Sequence, residues 1–236
     1  MKYGKVIEKD IALHADFLES LRMGDARILR DSEGALLVQL ISWPLYLIAA
    51  VDLEEGKRLI DGLQPDENGE IVIVARGEQL VDYAKECGYQ MVSPCVQVLY
   101  DKKELIPYDT DLVIRHPDRS EYERIKDAYT LPISEEEVLA SIDRPEFSAG
   151  YLNGEMVGFI GMHPEGSLGM LHIFDEYRGR GYAEILEKHM INGRIAAGAY
   201  PYGQVFVDNE ASLALQKKMG MTFSKDYIYW MWKACS

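Results

Sequence analysis

A short run of glycine and arginine after an apolar segment is the part of this sequence best suited to bind an anion. Residues 167–174 have the length and apolar character of a buried strand, and Arg178-Gly179-Arg180-Gly181 then opens a segment with helical periodicity. Glycine lets the backbone turn sharply and approach a ligand. The first N–H groups of a helix lack partners within it and carry the positive end of its dipole, so a helix start of this kind binds phosphate. A bare Gly-x-Gly is equally typical of a turn in which glycine serves only the shape.

Two ordered motifs in the second half resemble those of the GNAT acetyltransferase superfamily. The pattern Arg178-x-x-Gly181-x-Ala183 after a strand is similar to the pyrophosphate loop of that family, Gln/Arg-x-x-Gly-x-Gly/Ala. Residues 207–220 then carry a strand end, Asn209, Ser212, a helix and a glycine, in the order of the second family signature. The resemblance covers residues 111–233, and the aromatic end of the chain, with the Asn209 and Ser212 pairing, leans to the glycine N-acyltransferase-like branch.

The resemblance implies an acyl-CoA co-substrate, with acetyl-CoA as the expected form. The N–H groups of the loop would hold its pyrophosphate, and the strand before the loop would pair with its pantetheine arm as an added strand does. The implied cofactor-binding residues are Leu171, His172, Ile173, Arg178, Gly179, Arg180, Gly181, Tyr182, Ala183, Glu184, Asn209 and Ser212. Asn209 is equally well placed to cap the helix that begins at Glu210, and its side chain can serve both purposes.

The residue expected to supply a proton departs from the family pattern. The position after Leu215 is commonly a tyrosine regarded as the proton donor, and here it is Gln216; the position after Gly220 is Met221 where phenylalanine is common. Glutamine can hydrogen-bond a sulfur or a carbonyl but cannot give up a proton. Either Tyr182, Tyr200 or Tyr202 therefore donates the proton, or the thiolate, from a thiol of pKa about 8.5, leaves unaided.

The general base is left open among three residues. Glu165 precedes the central strand, near the position where some family members place a carboxylate, although a glutamate in a surface turn is usually only solvated. His163 and His172 are the alternatives, and a histidine within a strand is more often a satisfied core residue. We predict Glu165 and Gln216 as the candidate catalytic residues. The spacing of His and Cys predicts no metal site, and no cysteine has the companions of a catalytic thiol.

Composition narrows the class of protein. The chain has 236 residues, is 47% hydrophobic and carries a formal net charge of −14, which disfavours binding to nucleic acid. An acidic surface suits an amine substrate but more often serves solubility. Three cysteines without a close pair favour a reducing compartment, and no signal peptide or membrane span is predicted, so we expect a cytoplasmic protein. Exposed final strands could pair two copies in a homodimer.

The predicted order of elements in the first half of the sequence is similar to that in the second half. A strand, a helix, a glycine and a final strand between residues 71 and 100 parallel the order between residues 204 and 232. The phosphate loop is missing, because the strand 45–51 runs into Asp52-Leu-Glu-Glu, an acidic helix start that would repel a pyrophosphate. We predict a degenerate GNAT-like N-terminal domain over residues 1–105 and a GNAT N-acetyltransferase domain over residues 111–236, in an α+β fold whose central, mostly antiparallel sheet is flanked by helices. An unrelated α/β cap is the alternative for the first half.

Local signals predict several element ends. Asp52 is expected to cap a helix over 53–63, Asn153-Gly154 to form the turn of a hairpin, and Ser134 to Glu137 to form a capping box. Residues 90–100 read as one strand.

The leading hypothesis is an N-acyltransferase that moves an acetyl or short acyl group from acetyl-CoA to the amine of a small molecule or amino acid by direct attack on the thioester. The alternative is a non-catalytic CoA-binding regulatory protein, which Gln216 favours.

Overall fold

The computed structural model describes residues 6–7, 10–129 and 135–235, which contain seven α-helices and twelve β-strands. The helices span Ala15–Met23 (α1), Leu53–Asp61 (α2), Glu78–Glu86 (α3), Tyr122–Ala128 (α4), Glu135–Ile142 (α5), Tyr182–Ala196 (α6) and Glu210–Lys218 (α7). The strands span Ala26–Asp31 (β1), Ala35–Leu40 (β2), Leu45–Ala50 (β3), Glu70–Arg76 (β4), Gln90–Met91 (β5), Cys95–Leu99 (β6), Val113–Arg115 (β7), Ser148–Leu152 (β8), Glu155–Met162 (β9), Leu168–Ile173 (β10), Tyr202–Phe206 (β11) and Thr222–Ala234 (β12). The predicted α+β fold with a mostly antiparallel sheet flanked by helices is confirmed.

The chain forms two compact units. The first contains residues 1–99, 204–217 and 221–236, and its strands follow the order β1-β2-β3-β4-β12-β6, with β5 also paired to β12. The pairs are antiparallel except for β3 and β4, which are parallel. Two apolar clusters stabilise this unit, one that includes Ile60 of α2 and Leu80 of α3, and one that includes Phe17 of α1.

The second unit contains residues 100–203 and 218–220, and its strands follow the antiparallel order β10-β9-β8-β7. One apolar cluster joins Ile125 of α4 and Ile142 of α5 to strand residues such as Phe159. A smaller cluster joins Tyr182 of α6 to Val157 of β9. The β8–β9 hairpin turns at Asn153 and Gly154, both at positive φ, as the sequence predicts.

The two units are not continuous in sequence. The predicted boundary near residues 105–111 falls close to the end of the first segment, but residues 204–217 and 221–236 group with the first unit because β12 pairs with β4 and β6. The strand β11 divides between the units at residue 203. The interpretation of the two halves as a degenerate and a complete GNAT domain stays a prediction.

Several predicted element bounds differ from those observed. Residues 90–100 form two strands, β5 and β6, separated by a segment that contains Pro94, a residue with no N–H to donate to a ladder. The helix α1 begins at Ala15, directly after a 3₁₀ turn over Ala12–His14. The predicted capping box at Ser134 to Glu137 begins outside the described residues. Cys87, Cys95 and Cys235 are free thiols, and none of the helices described is both long and apolar enough to cross a bilayer.

Candidate functional site

The connection between β10 and α6 has the geometry of an anion-binding loop. A 3₁₀ turn over Asp175–Tyr177 leaves β10, and α6 begins at Tyr182. Gly179 and Gly181 have φ values of 75° and 84°, a left-handed conformation that other residues adopt at a cost. A Cβ built on either glycine would meet nothing within 4 Å. The glycines are therefore required by backbone conformation and not by packing, and the space beside them is open.

Six consecutive backbone N–H groups at this loop have no acceptor among the described residues. The first amide that bonds to the start of α6 is that of Ile185, which donates to the Gly181 carbonyl at 3.2 Å. In the part of the chain that the structure describes, the N–H groups of residues 179–184 donate to no backbone or side-chain oxygen, and no side chain caps α6. The N-terminal N–H groups of a helix project along its axis, away from the helix body. The loop thus offers a set of donors suited to an oxyanion.

The two arginines of the loop brace its backbone. The Arg178 Nε donates to the Ile173 carbonyl at 3.1 Å, and its guanidinium forms an ion pair with Asp175 at 2.9 Å. Arg180 donates to the Glu176 carbonyl at 3.0 Å. These contacts hold the loop in shape, and both side chains remain exposed, so their charge still contributes to the local potential.

The carboxylate of Glu184, in the first turn of α6, is neutralised by two lysines. Its oxygens lie 2.7 Å from the Lys188 Nζ and 2.5 Å from the Lys218 Nζ. Hydrogen bonds from these two lysines lower the pKa of Glu184 below its ordinary value. The negative charge in the first turn of α6 is therefore balanced locally, which leaves the helix start attractive to an anion.

Over most of its length, one edge of β10 has no partner strand among the described residues. Its pairing with β11, among the described residues, is confined to Leu168 and Gly203. On the other edge, Met170 and Leu171 lie opposite Ile160 alone, which is a β-bulge, and Met170 adopts a φ of 52°. Apart from the Ile173 carbonyl, which accepts from Arg178, the backbone groups of Leu171 to Ile173 that face away from β9 are therefore available to pair with an extended ligand.

His172 is held as a packed aromatic residue. Its ring stacks on Phe159 with centroids 5.4 Å apart and meets Phe174 edge-on at 5.2 Å. Burial, together with the nearby Arg178 charge, lowers the pKa of His172, so its imidazole is neutral at neutral pH. His172 is therefore a half-buried ring held by aromatic packing.

Glu165 is buried, contrary to the expectation for a glutamate in a surface turn. Its side chain is only 3% exposed, and its Oε1 accepts a hydrogen bond of 2.5 Å from the Ser167 hydroxyl. Its backbone carbonyl accepts a hydrogen bond from the Tyr202 hydroxyl at 2.8 Å. The hydroxyl proton of Tyr202, one of the tyrosines predicted as a proton donor, is therefore used in this contact. His163 lies beside Gly169, where an added Cβ would approach its ring to 2.3 Å. Glu165 is thus a fixed carboxylate whose described partner is a neutral hydroxyl.

The remaining predicted residues lie in the first unit. The Asn209 Oδ1 accepts from the Ser212 N–H at 3.1 Å, so Asn209 caps α7 as the sequence allowed, and its amide nitrogen stays free of that contact. Gln216 is 6% exposed, on α7. The structure brings Glu165, the β10 residues and the loop residues 171–184 into the second unit, and Asn209, Ser212 and Gln216 into the first.

The corresponding helix start in the first unit lacks an open set of donors. Strand β3 leads into α2, whose N-cap Asp52 accepts a hydrogen bond from the Glu55 N–H at 3.0 Å. Glu54 and Glu55 occupy the first turn. A self-capped acidic helix start disfavours a phosphate, as the sequence predicts.

The sequence did not indicate one polar side chain of the second unit, Tyr129, as a candidate site residue. Tyr129, which follows α4, has a hydroxyl oxygen that is buried and makes no hydrogen bond within the described residues. In the sequence it reads as the last residue of an amphipathic helix, and no spacing relates it to Glu165 or β10. Only the folded structure shows that Tyr129 lies near Glu165 and Met170 of β10.

Comparisons with known proteins gave one family match and several structures of similar fold. Residues 113–221 match the model of the acetyltransferase (GNAT) family. A search of curated proteins gave no match. Among solved structures, a Drosophila protein aligns with a TM-score of 0.68 at 14% identity over 95% of this chain and 89% of its own. A GCN5-related N-acetyltransferase from Kribbella flavida aligns with a TM-score of 0.62 at 12% identity over 100% and 98% of the two chains.

A third structure is described as a putative acetyltransferase from the GNAT family of Novosphingobium aromaticivorans. It aligns with a TM-score of 0.57 at 17% identity over 95% of this chain and 99% of its own. At these identities the structural likeness establishes a shared fold. Residues 113–221 are therefore similar to the acetyltransferase (GNAT) family, and the chain shares its fold with these three structures.

Proposed function

We propose that this protein is a GNAT-type N-acyltransferase that moves an acetyl or short acyl group from an acyl-CoA to the amine of a small molecule or amino acid. The observation that carries the proposal is the run of N–H groups at residues 179–184, for which the described part of the chain provides no acceptor. A diphosphate supplies oxygens for several such donors at once, and a helix start stabilises its charge.

The acyl-CoA would lie along two elements of the second unit. Its diphosphate would accept hydrogen bonds from the loop amides, with Gly179 and Gly181 leaving room for close approach. Its pantetheine amides would pair with the free edge of β10 at Leu171 to Ile173. We also propose that Asn209 and Ser212 contact the cofactor, which the free amide nitrogen of Asn209 permits without loss of its cap.

The reaction requires a neutral amine, a stabilised oxyanion and a leaving thiolate. The amine nitrogen forms a bond to the thioester carbon, the carbon–sulfur bond breaks, and one proton must leave the nitrogen. We propose that Glu165 receives this proton, because a buried carboxylate whose described partner is a neutral hydroxyl is stabilised by a nearby proton or cation. The thiolate can leave unprotonated, since its parent thiol has a pKa of about 8.5.

We propose a small amine or an amino acid as the acceptor because the sequence resembles the glycine N-acyltransferase-like branch. An amino acid or another small amine agrees with the formal charge of −14. Loops set specificity in enzymes that share a fold, so a screen of amines is the means to identify the acceptor.

The experiment is a turnover assay with acetyl-CoA and a panel of small amines and amino acids. Free CoA should be followed by chromatography, because the three free cysteines of the protein would consume a thiol reagent. Glu165→Gln should lower kcat, whereas Glu155→Gln, at an exposed position of the β8–β9 hairpin, should leave it unchanged. Turnover that is the same in both variants would remove Glu165 from the mechanism.

A non-catalytic CoA-binding protein is the second candidate, which Gln216 favours because glutamine cannot act as an acid. It predicts acetyl-CoA binding by calorimetry without release of CoA across the whole amine panel. Robust turnover with any amine excludes it.

A further inference from the structure

The Tyr129 hydroxyl is a buried donor for which no described residue provides an acceptor. Its ring packs against the apolar cluster of the second unit, which contains Ile125, Phe147 and Met170. The hydroxyl oxygen is shielded from solvent and makes no hydrogen bond in the described ranges 6–7, 10–129 and 135–235. Burying a hydroxyl without a partner is unfavourable, so a phenylalanine would fill the same space at lower cost. A group retained in this state is a candidate for a role in binding a ligand.

This hydroxyl faces the β-bulge of β10. Met170 and Leu171 form the bulge opposite Ile160, and Met170 is held at a φ of 52°. The Met170 N–H is close enough to the phenol oxygen of Tyr129 to stabilise its anion slightly, although their geometry falls short of a hydrogen bond. Bulges re-aim groups next to active sites. The phenol O–H of Tyr129 and the Met170 N–H therefore lie close together at the bulge of β10.

The protonation state of Tyr129 decides what it can do. Burial, and then the negative charge of Glu165, raise the pKa of this phenol well above its ordinary value. Proton transfer to a thiolate whose acid has a pKa of about 8.5 would be unfavourable even from an unperturbed phenol of about 10. A phenol that stays neutral at every physiological pH is, in contrast, a dependable hydrogen-bond donor. Tyr129 is suited to stabilise charge and unsuited to act as a general acid.

We propose that the Tyr129 hydroxyl donates a hydrogen bond to the thioester carbonyl oxygen, and to the oxyanion that forms from it, beside a backbone N–H of the β10 bulge. The proposal rests on the proposed function. When the amine nitrogen bonds to the thioester carbon, the carbonyl π pair moves to oxygen, where the phenol O–H and the N–H stabilise it. The pair returns to the carbonyl as the carbon–sulfur bond breaks. Tyr129 keeps its proton throughout, so the step balances without another reactant.

The test compares two tyrosines of the same apolar cluster. Tyr129→Phe removes the unpartnered hydroxyl, and Tyr151→Phe removes a hydroxyl that donates to the Glu121 carboxylate at 2.7 Å. Tyr129→Phe should lower kcat by about 10²-fold, the loss typical of one oxyanion donor, with KM changed by less than about 3-fold and Tm equal or higher. Tyr151→Phe should lower Tm and leave kcat unchanged. A kcat for Tyr129→Phe equal to that of the wild type overturns the proposal.

A second readout does not depend on turnover. The infrared stretch of an isotope-labelled acetyl carbonyl should shift to lower frequency when acetyl-CoA binds the wild type, and the shift should shrink in Tyr129→Phe but not in Tyr151→Phe. Equal shifts in the two variants would show that Tyr129 does not touch the carbonyl. If the wild type turns over but Tyr129→Phe does so equally well, only the role of Tyr129 fails. If the wild type neither binds acetyl-CoA nor turns over, the proposed function fails with it.

Discussion

Replacing Gly181 with alanine tests whether the start of α6 binds a ligand. At a φ of 84° an alanine is strained by about 1–2 kcal/mol, and its Cβ meets no protein atom within 4 Å. The free protein can relieve this strain by leaving the left-handed conformation, which turns the loop amides away from their common direction. Ligand binding must then restore the conformation, so acetyl-CoA affinity should fall by about 5- to 30-fold, the equivalent of that strain.

Gly198, just after the other end of α6, provides the matched control. It has a φ of 65°, and a Cβ there also meets nothing within 4 Å. Gly198→Ala should therefore cost a similar free energy of unfolding while acetyl-CoA affinity, measured by titration calorimetry, stays at the wild-type value. Equal affinities for the Gly181→Ala and Gly198→Ala variants would refute the assignment of the loop.

Three further outcomes follow from individual contacts. Burial and then the Arg76 charge lower the pKa of His14 to about 4, while the unfolded chain protonates near 6.5, so the unfolded state binds more protons between these values. The free energy of unfolding should fall by up to about 3 kcal/mol as pH drops from 6.5 to 4, and denaturation of a His14→Gln variant should lack most of this dependence. Asp52→Ala removes the cap on the Glu55 N–H and should cost about 1 kcal/mol in chemical denaturation without changing acetyl-CoA affinity. Lys218→Met leaves Glu184 with one lysine partner and should weaken acetyl-CoA binding at low salt; a loss that does not shrink at high salt would contradict this electrostatic origin.

Short-range sequence signals predicted the local backbone structure well. Asp52 caps α2, Asn153 and Gly154 form the hairpin turn, and Gly181 adopts the left-handed conformation that precedes α6. Each of these depends on one or two residues and their immediate backbone. The loop assignment drew on the same kind of information, because its donors are consecutive amides.

The features that sequence reasoning missed depend on distant parts of the chain. Glu165 looks like a solvated turn residue, and its burial follows from packing that also brings the Tyr202 hydroxyl to its carbonyl. Tyr129 reads as the end of an ordinary amphipathic helix, and only tertiary packing places it beside the β10 bulge. Periodicity predicts which face of an element is buried, but it does not predict which polar atoms remain without partners there.

The most direct test of the central claim is the response of individual backbone amides to CoA. In a nuclear magnetic resonance titration, the amide proton signals of residues 179–184 should move downfield together as CoA is added, because each gains an anionic acceptor. Inorganic pyrophosphate at higher concentration should move the same signals in the same direction. Signals from these six residues that stay in place while CoA binds, or while amides elsewhere respond, would contradict the account.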